Sequence, residues 1–263
     1  MSEHSLPASN AFPNSPPLVE LCSGGIDDVL LAQEFQIPRI ELNSGMAVGG
    51  LTPSIALAET ARVAYSGKII AMVRPREGGF CYSTREFQLM IDDAKRLIDV
   101  GCEGVATGFL KTDGTIDVDR CDEFSRSLPE AEFVFHRAFD LVPDFPVAID
   151  QLVAAGFDRI LTSGAAATAI AGVNRIRMCV DHADGRIEIL PGSGIRAANV
   201  AEIIHQTKCR QIHTSAGCHR LDTSAQRNPE IHFGGNPGLP SGSYGVADRE
   251  QLRKLLMVLH ARE

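Results

Sequence analysis

From Leu18 onward, short runs of apolar and β-branched residues alternate with longer stretches whose apolar positions recur at helical spacing. That alternation is the signature of repeated strand-helix units with parallel strands. The strand runs are Leu18 to Ser23, Arg39 to Ser44, Lys68 to Pro75, Gly104 to Leu110, Glu132 to Phe139, Arg159 to Ser163, Ile187 to Pro191 and Gln211 to Ser215. Each is followed by a helical segment or by the last stretch of the chain. Eight such units, covered by helices, predict a single-domain α/β fold, the TIM (β/α)8 barrel, rather than an open sheet of five or six strands. Helix starts are marked by Thr52 before Pro53, by Ser83 or Thr84 before Glu86, and by the acidic Asp113 to Asp117 stretch. Residues 1–17 are rich in Pro, Ser and Asn and predict a disordered tail, leaving 18–263 for the barrel. Between Gly217 and Gly245 helical periodicity is absent until Asp248, which predicts a long loop after strand eight, over the barrel mouth or against a neighbouring subunit.

Strand periodicity then sorts the polar residues. Alternate residues point inward, so Glu20 shares a side with Cys22, Glu41 with Asn43, and Met72 with Arg74 and Arg76. If those sides face the lumen, Glu20, Glu41 and Arg74 must form a mutually neutralised network, because an unpaired charge inside a barrel is costly. Such a network either carries catalysis or merely fills the barrel. His136 and Arg137 end strand five, with Asp140 just beyond, at the barrel end where this fold carries its active sites. His136 is a candidate acid or base oriented by Glu20 or Glu41, or else a histidine held by a backbone carbonyl. His213, mid-strand eight, reads equally as a core histidine. Ser163-Gly164, Gly192-Ser193-Gly194 and Ser215-Ala216-Gly217 close the last three strands, where exposed amides suit an anion and Arg74 or Arg76 suits its charge.

Composition narrows the partners. A formal charge of -8 and no basic cluster argue against nucleic acid, and no apolar run approaches a membrane span. Seven cysteines without CxxC spacing suggest reduced thiols rather than a disulfide framework or structural zinc.

The segments IELNSGMAVGGLTPS (Ile40 to Ser54), MVRPREGGFCYSTREF (Met72 to Phe87), TDGTIDVDR (Thr112 to Arg120), FHRAFD (Phe135 to Asp140), RILTSG (Arg159 to Gly164) and LPGSGI (Leu190 to Ile195) resemble, in order and spacing, the CutC family. The resemblance implies a TIM barrel, a cytoplasmic protein of copper homeostasis that binds copper as Cu(I), and self-association into a homo-oligomer. Family members from higher organisms carry a cysteine on strand one and another on strand two. Cys22 matches the first, and Asn43 stands at the second. An amide is not a soft donor, so a copper site here is centred on Cys22, with Met46 and Cys218 as possible rim partners. The residues themselves also support a second class of function, a lyase, aldolase or isomerase acting on a small anionic or phosphorylated metabolite.

Overall fold

The computed structural model describes residues 16–228, 230–231 and 238–261. The predicted tail therefore falls almost wholly outside the described residues. Eight strands, β1 (Leu18–Ser23), β2 (Arg39–Leu42), β3 (Lys68–Met72), β4 (Gly104–Thr107), β5 (Glu132–Phe135), β6 (Arg159–Thr162), β7 (Glu188–Pro191) and β8 (Gln211–Thr214), form one sheet. The order is β7-β6-β5-β4-β3-β2-β1-β8, every neighbouring pair is parallel, and the barrel is nearly closed. At the seam between β7 and β8 no backbone ladder forms. The Gln211 amide instead donates across it to Glu188 Oε2 at 2.5 Å.

Helices α1 (Ile26–Glu34), α2 (Ile55–Ala64), α3 (Thr84–Asp99), α4 (Val118–Arg126), α5 (Phe145–Ala154), α6 (Val173–Ala183) and α7 (Val200–Thr207) alternate with the strands. Ser83 and Glu86 form a reciprocal capping box at α3, and Asp117 caps α4. The start predicted at Thr52 shifts: Ser54 caps α2, and the Thr52 hydroxyl instead accepts from the Arg74 amide at 3.0 Å. Among the described residues, the stretch after β8 also carries strand pairing where a loop was predicted. It folds into an antiparallel hairpin of β9 (Gly217–Leu221) and β10 (Ser243–Ala247), before Asp248 caps α8 (Arg249–His260). Pairing there is carried by the backbone while most side chains stay partly exposed, so no burial alternation marks it in sequence. Buried Asp28 anchors the hairpin, accepting from the Ala247 and Gly24 amides at 2.8 Å each.

Strand parity separates two interiors. Val19, Leu21, Ile40, Leu42, Ile69, Ala71 and Val73 face outward into the large core under the helices. Ile70, Met72, Ala106, Val134, Leu161 and Leu190 face inward and make a small apolar plug within the lumen. The plug comes only from β3 to β7. On β8, β1 and β2 the buried residues of the same inward parity are polar: Gln211, His213, Glu20, Cys22, Arg39 and Glu41, with Asn43 just beyond β2. The lumen is thus half apolar and half polar, and the polar half determines where chemistry can occur.

Its N-terminal end is closed by charge. Arg39 donates to Glu20 and Gln211, while Arg159 donates to Glu132 at 2.7 Å and Lys68 pairs with the same carboxylate. Burial acts to raise the Glu132 pKa, but Lys68 and Arg159 outweigh it and hold it below the usual carboxylate range. Glu132→Gln leaves buried Arg159 short of its anion and is expected to destabilise the fold by about 2 kcal/mol, less than a fully buried pair because Glu132 is partly exposed. A folded-state pKa that is depressed gives stability above the unfolded value of about 4.3, lost as pH falls through the folded value. Urea unfolding should therefore show the gap between the two proteins at pH 7 and its narrowing below about pH 4. Equal midpoints at pH 7 would exclude this role.

Candidate functional site

The polar half of the lumen is organised around Glu20. Its carboxylate, 1% exposed, takes Arg39 on Oε2 and His213 Nδ1 on Oε1 at 2.8 Å. Burial alone would raise its pKa. The His213 bond and the Arg39 charge outweigh it and hold the pKa at about 2. Burial likewise acts to lower His213, but Glu41, Cys22 and Glu20 hold it well above the usual histidine value. Because Nδ1 is committed to Glu20, the imidazole presents Nε2 toward β2, 4.0 Å from Glu41 Oε2.

One level higher in the barrel, Cys22 stands beside Glu41. Cys22 Sγ lies 3.8 Å from Glu41 Oε2, and one sulfur or nitrogen or oxygen from each of Cys22, Glu41 and His213 falls within 4.8 Å of the others. Asn43 donates its amide to Glu41 Oε2 at 2.9 Å and approaches Cys22 Sγ at 3.5 Å. Met46, from a short 3-10 turn after β2, brings its thioether within 3.9 Å of Cys22 Sγ. Burial raises the pKa of both Cys22 and Glu41, and Glu41 Oε1 is buried with no hydrogen-bond partner among the described residues. The donor set, two sulfurs, one imidazole and one under-satisfied carboxylate, fits a soft cation better than a hard one.

Arg74 departs from the expected network. Its Nη1 donates to the carbonyls of Val48 at 2.8 Å and Gly50 at 3.0 Å, Nη2 donates to Gly78 at 2.9 Å, and no carboxylate reaches it among the described residues. The reason is local: Gly49, Gly50 and Gly78 adopt positive φ, and their turns bring main-chain oxygens to the guanidinium. The carboxylates meet Arg39 instead. His136 is likewise not oriented by Glu20 or Glu41. It caps the 3-10 turn Arg137–Leu141, with Nδ1 accepting from the Ala138 amide at 3.2 Å, and burial together with the Arg74 charge lowers its pKa to about 3.

Asp140 is fully engaged. Its carboxylate accepts from Thr162, from Ser163 through both amide and hydroxyl, from the Ala165 amide and from Arg137. It braces the loop after β6 and has no oxygen left for a substrate. Arg76 is drawn outward to Glu86 at 2.5 Å and away from the predicted anion loops. In those loops the Gly164 amide donates to Thr162 Oγ1 and the Gly192 amide to the Thr162 carbonyl. The amides of Ser193, Gly194 and Ser215 have no internal acceptor among the described residues. Gly217 opens β9, and its carbonyl accepts from Arg196 at 3.4 Å. Cys218 is paired within the hairpin opposite Val246, its thiol facing Asp248, so it does not join Cys22.

One residue escaped the sequence reading and another was given too little weight. Arg39 shares parity with Glu41 two positions on and could have been found by extending that pattern back to the strand's first residue. His213 was seen, but only its level with Glu20, fixed by the β1–β8 register, turns a core histidine into a site residue. Among the described residues no helix is long and apolar enough to cross a membrane.

Comparison with known proteins identifies the family and the fold. The CutC family description matches residues 17–218. A CutC family protein of Treponema denticola is 43% identical over 92% of this chain and 98% of its own length. The human copper homeostasis protein cutC homolog is 33% identical over 94% of this chain and 89% of its own. The crystal structure of the putative copper homeostasis protein CutC from Streptococcus agalactiae superposes with a TM-score of 0.73 at 32% identity, covering 76% of this chain and 98% of that one. By sequence and by fold alike, the chain belongs to the CutC family.

Proposed function

We propose that this copper homeostasis protein holds Cu(I) as cargo in the polar half of its barrel mouth, through Cys22 Sγ, His213 Nε2 and Met46 Sδ, with Glu41 beside them. The observation that carries this reading is the convergence of Cys22, Glu41 and His213 within 4.8 Å, with the Met46 thioether 3.9 Å from the Cys22 thiol. A thiolate, a thioether and an imidazole are donors that favour Cu(I), whereas Mg²⁺ or Ca²⁺ would want oxygen ligands. Met46 and His213 supply the soft donors that Asn43 cannot. Asn43 is a positioning residue, its amide hydrogens turned toward Glu41 and Cys22.

Glu20 has the supporting role. A carboxylate on the far nitrogen of a ligating histidine fixes the ring and raises the basicity of the near nitrogen, and Glu20 stands on His213 Nδ1 at 2.8 Å. In the metal-free chain the raised pKa values of Cys22 and His213 mean that a cation must displace protons from them.

Cu(I) titration of reduced protein against a competing chelator tests the ligand set. Cys22→Ser is expected to abolish competitive binding, Glu20→Gln to weaken it roughly 10–100-fold through His213, and Cys218→Ser to leave it unchanged. Binding that survives Cys22→Ser intact would overturn the assignment. The sign of the pH effect follows from the displaced protons: affinity should rise with pH and proton release should be detectable in weak buffer, by about tenfold in affinity per pH unit for each proton displaced. A pH-independent affinity between pH 6 and 8 would argue for ligands other than Cys22 and His213.

A further inference from the structure

Across the mouth from the sulfur donors lies a second group of buried polar atoms that the copper reading does not use. Arg74 is 5% exposed and His136 is 3% exposed. Both belong to the inward parity of their strands, above the apolar plug, and both rest on Phe80. Arg74 Cζ sits 5.2 Å from the Phe80 ring centre, and the His136 ring meets Phe80 edge-on at 4.9 Å between centres.

Each presents a buried donor that no acceptor meets in hydrogen-bonding geometry among the described residues, although the equally unpartnered Tyr82 hydroxyl stands beside the Arg74 guanidinium. Nη1 of Arg74 gives both hydrogens to main-chain carbonyls and Nη2 gives one, while Nε is buried with no partner among the described residues. For His136, Nδ1 is an acceptor because it takes the Ala138 amide, so the proton of the neutral ring resides on Nε2. Nε2 is buried and also has no partner. A buried guanidinium without a counter-charge and two buried N–H donors without acceptors are each unfavourable in isolation. One small anion seated between them would relieve all three penalties together.

We infer that Arg74 and His136 form an anion subsite for a small carboxylate, distinct from the sulfur donors of β1 and β2. Charge and donor count favour a carboxylate over a phosphate. Arg74 has lost its two-pronged Nη face to the carbonyls of Val48, Gly50 and Gly78, leaving single N–H groups that match two oxygens of one monoanion. A phosphate dianion would require more donors and a second positive charge. The inference does not depend on copper, since none of the atoms it uses is a proposed copper ligand.

The test titrates the full-length chain with sodium acetate, sodium pyruvate and inorganic phosphate, following the side-chain ¹⁵N–¹H signals of Arg74 Nε and His136 Nε2 by NMR. Saturable shifts of both signals with acetate or pyruvate, and none with phosphate, are expected. Arg74→Gln and His136→Asn should each weaken carboxylate binding roughly 10–100-fold, the loss expected for one hydrogen bond to a charged group. His136→Asn retains an oxygen near the Nδ1 position to accept from Ala138 but removes the Nε2 donor. His136→Gln places an amide N–H near the Nε2 position and should restore most of the affinity. Cys22→Ser should bind carboxylate as the native chain does, which separates failure of this inference from failure of the copper reading. Absence of saturable carboxylate binding would overturn the proposal. So would binding that is indifferent to both variants, or phosphate binding that shifts the Ser193 and Gly194 amides instead. If either variant fails to fold, the native-chain signals alone decide.

Discussion

The Glu20 carboxylate is the constraint on which the polar half of the barrel depends. A fully buried anion must be compensated, and here one oxygen takes Arg39 from β2 while the other takes His213 from β8. A single side chain therefore ties three adjacent strands and fixes which face of the imidazole looks into the mouth. Arg39 also donates to Gln211, and Gln211 continues to Glu188 across the only strand seam without a ladder among the described residues. The ion pairs that close the bottom of the lumen thus also hold the last strand in place. Replacing Glu20 by an apolar residue would leave Arg39 buried and unpaired, so the stability of the barrel and the orientation of His213 are properties of one group.

Much of this was legible in the chain. Seven of the eight strands begin at the expected residue and β7 one residue later, at Glu188, because a buried parallel strand is written as an apolar segment with turn residues at its ends. Parity was legible as well: the pairing of Glu20 with Cys22 and of Glu41 with Asn43 on the inward face follows from a period of two and needs no tertiary knowledge. What strand parity could not supply was the partner of each charge. Arg74 and Glu41 share the lumen, yet the guanidinium sits on turns whose glycines bring carbonyls within reach, and local geometry outweighs attraction between charges on different strands. The β9–β10 hairpin was illegible for a related reason, since a ribbon held by its backbone leaves no burial signal in its side chains.

Asn43 shows how a changed ligand can alter a site without emptying it. The family resemblance implies a thiol at this position. The amide instead donates to the groups around it, holding Glu41 Oε2 at 2.9 Å and facing Cys22 Sγ at 3.5 Å. A donor there favours the ionised forms of both neighbours, which burial otherwise disfavours. Its cost is the carbonyl end: Oδ1 is buried without a partner and points at Gly50. A Cβ on Gly50 would lie 2.4 Å from that oxygen, and the residue's φ of +88° is one that L side chains rarely adopt. Asn43 therefore requires a glycine at position 50, and Gly50 also supplies one of the carbonyls that Arg74 binds. The soft donors on one side of the mouth and the unpaired N–H groups on the other consequently share a turn, so a substitution at residue 43 or 50 reaches both.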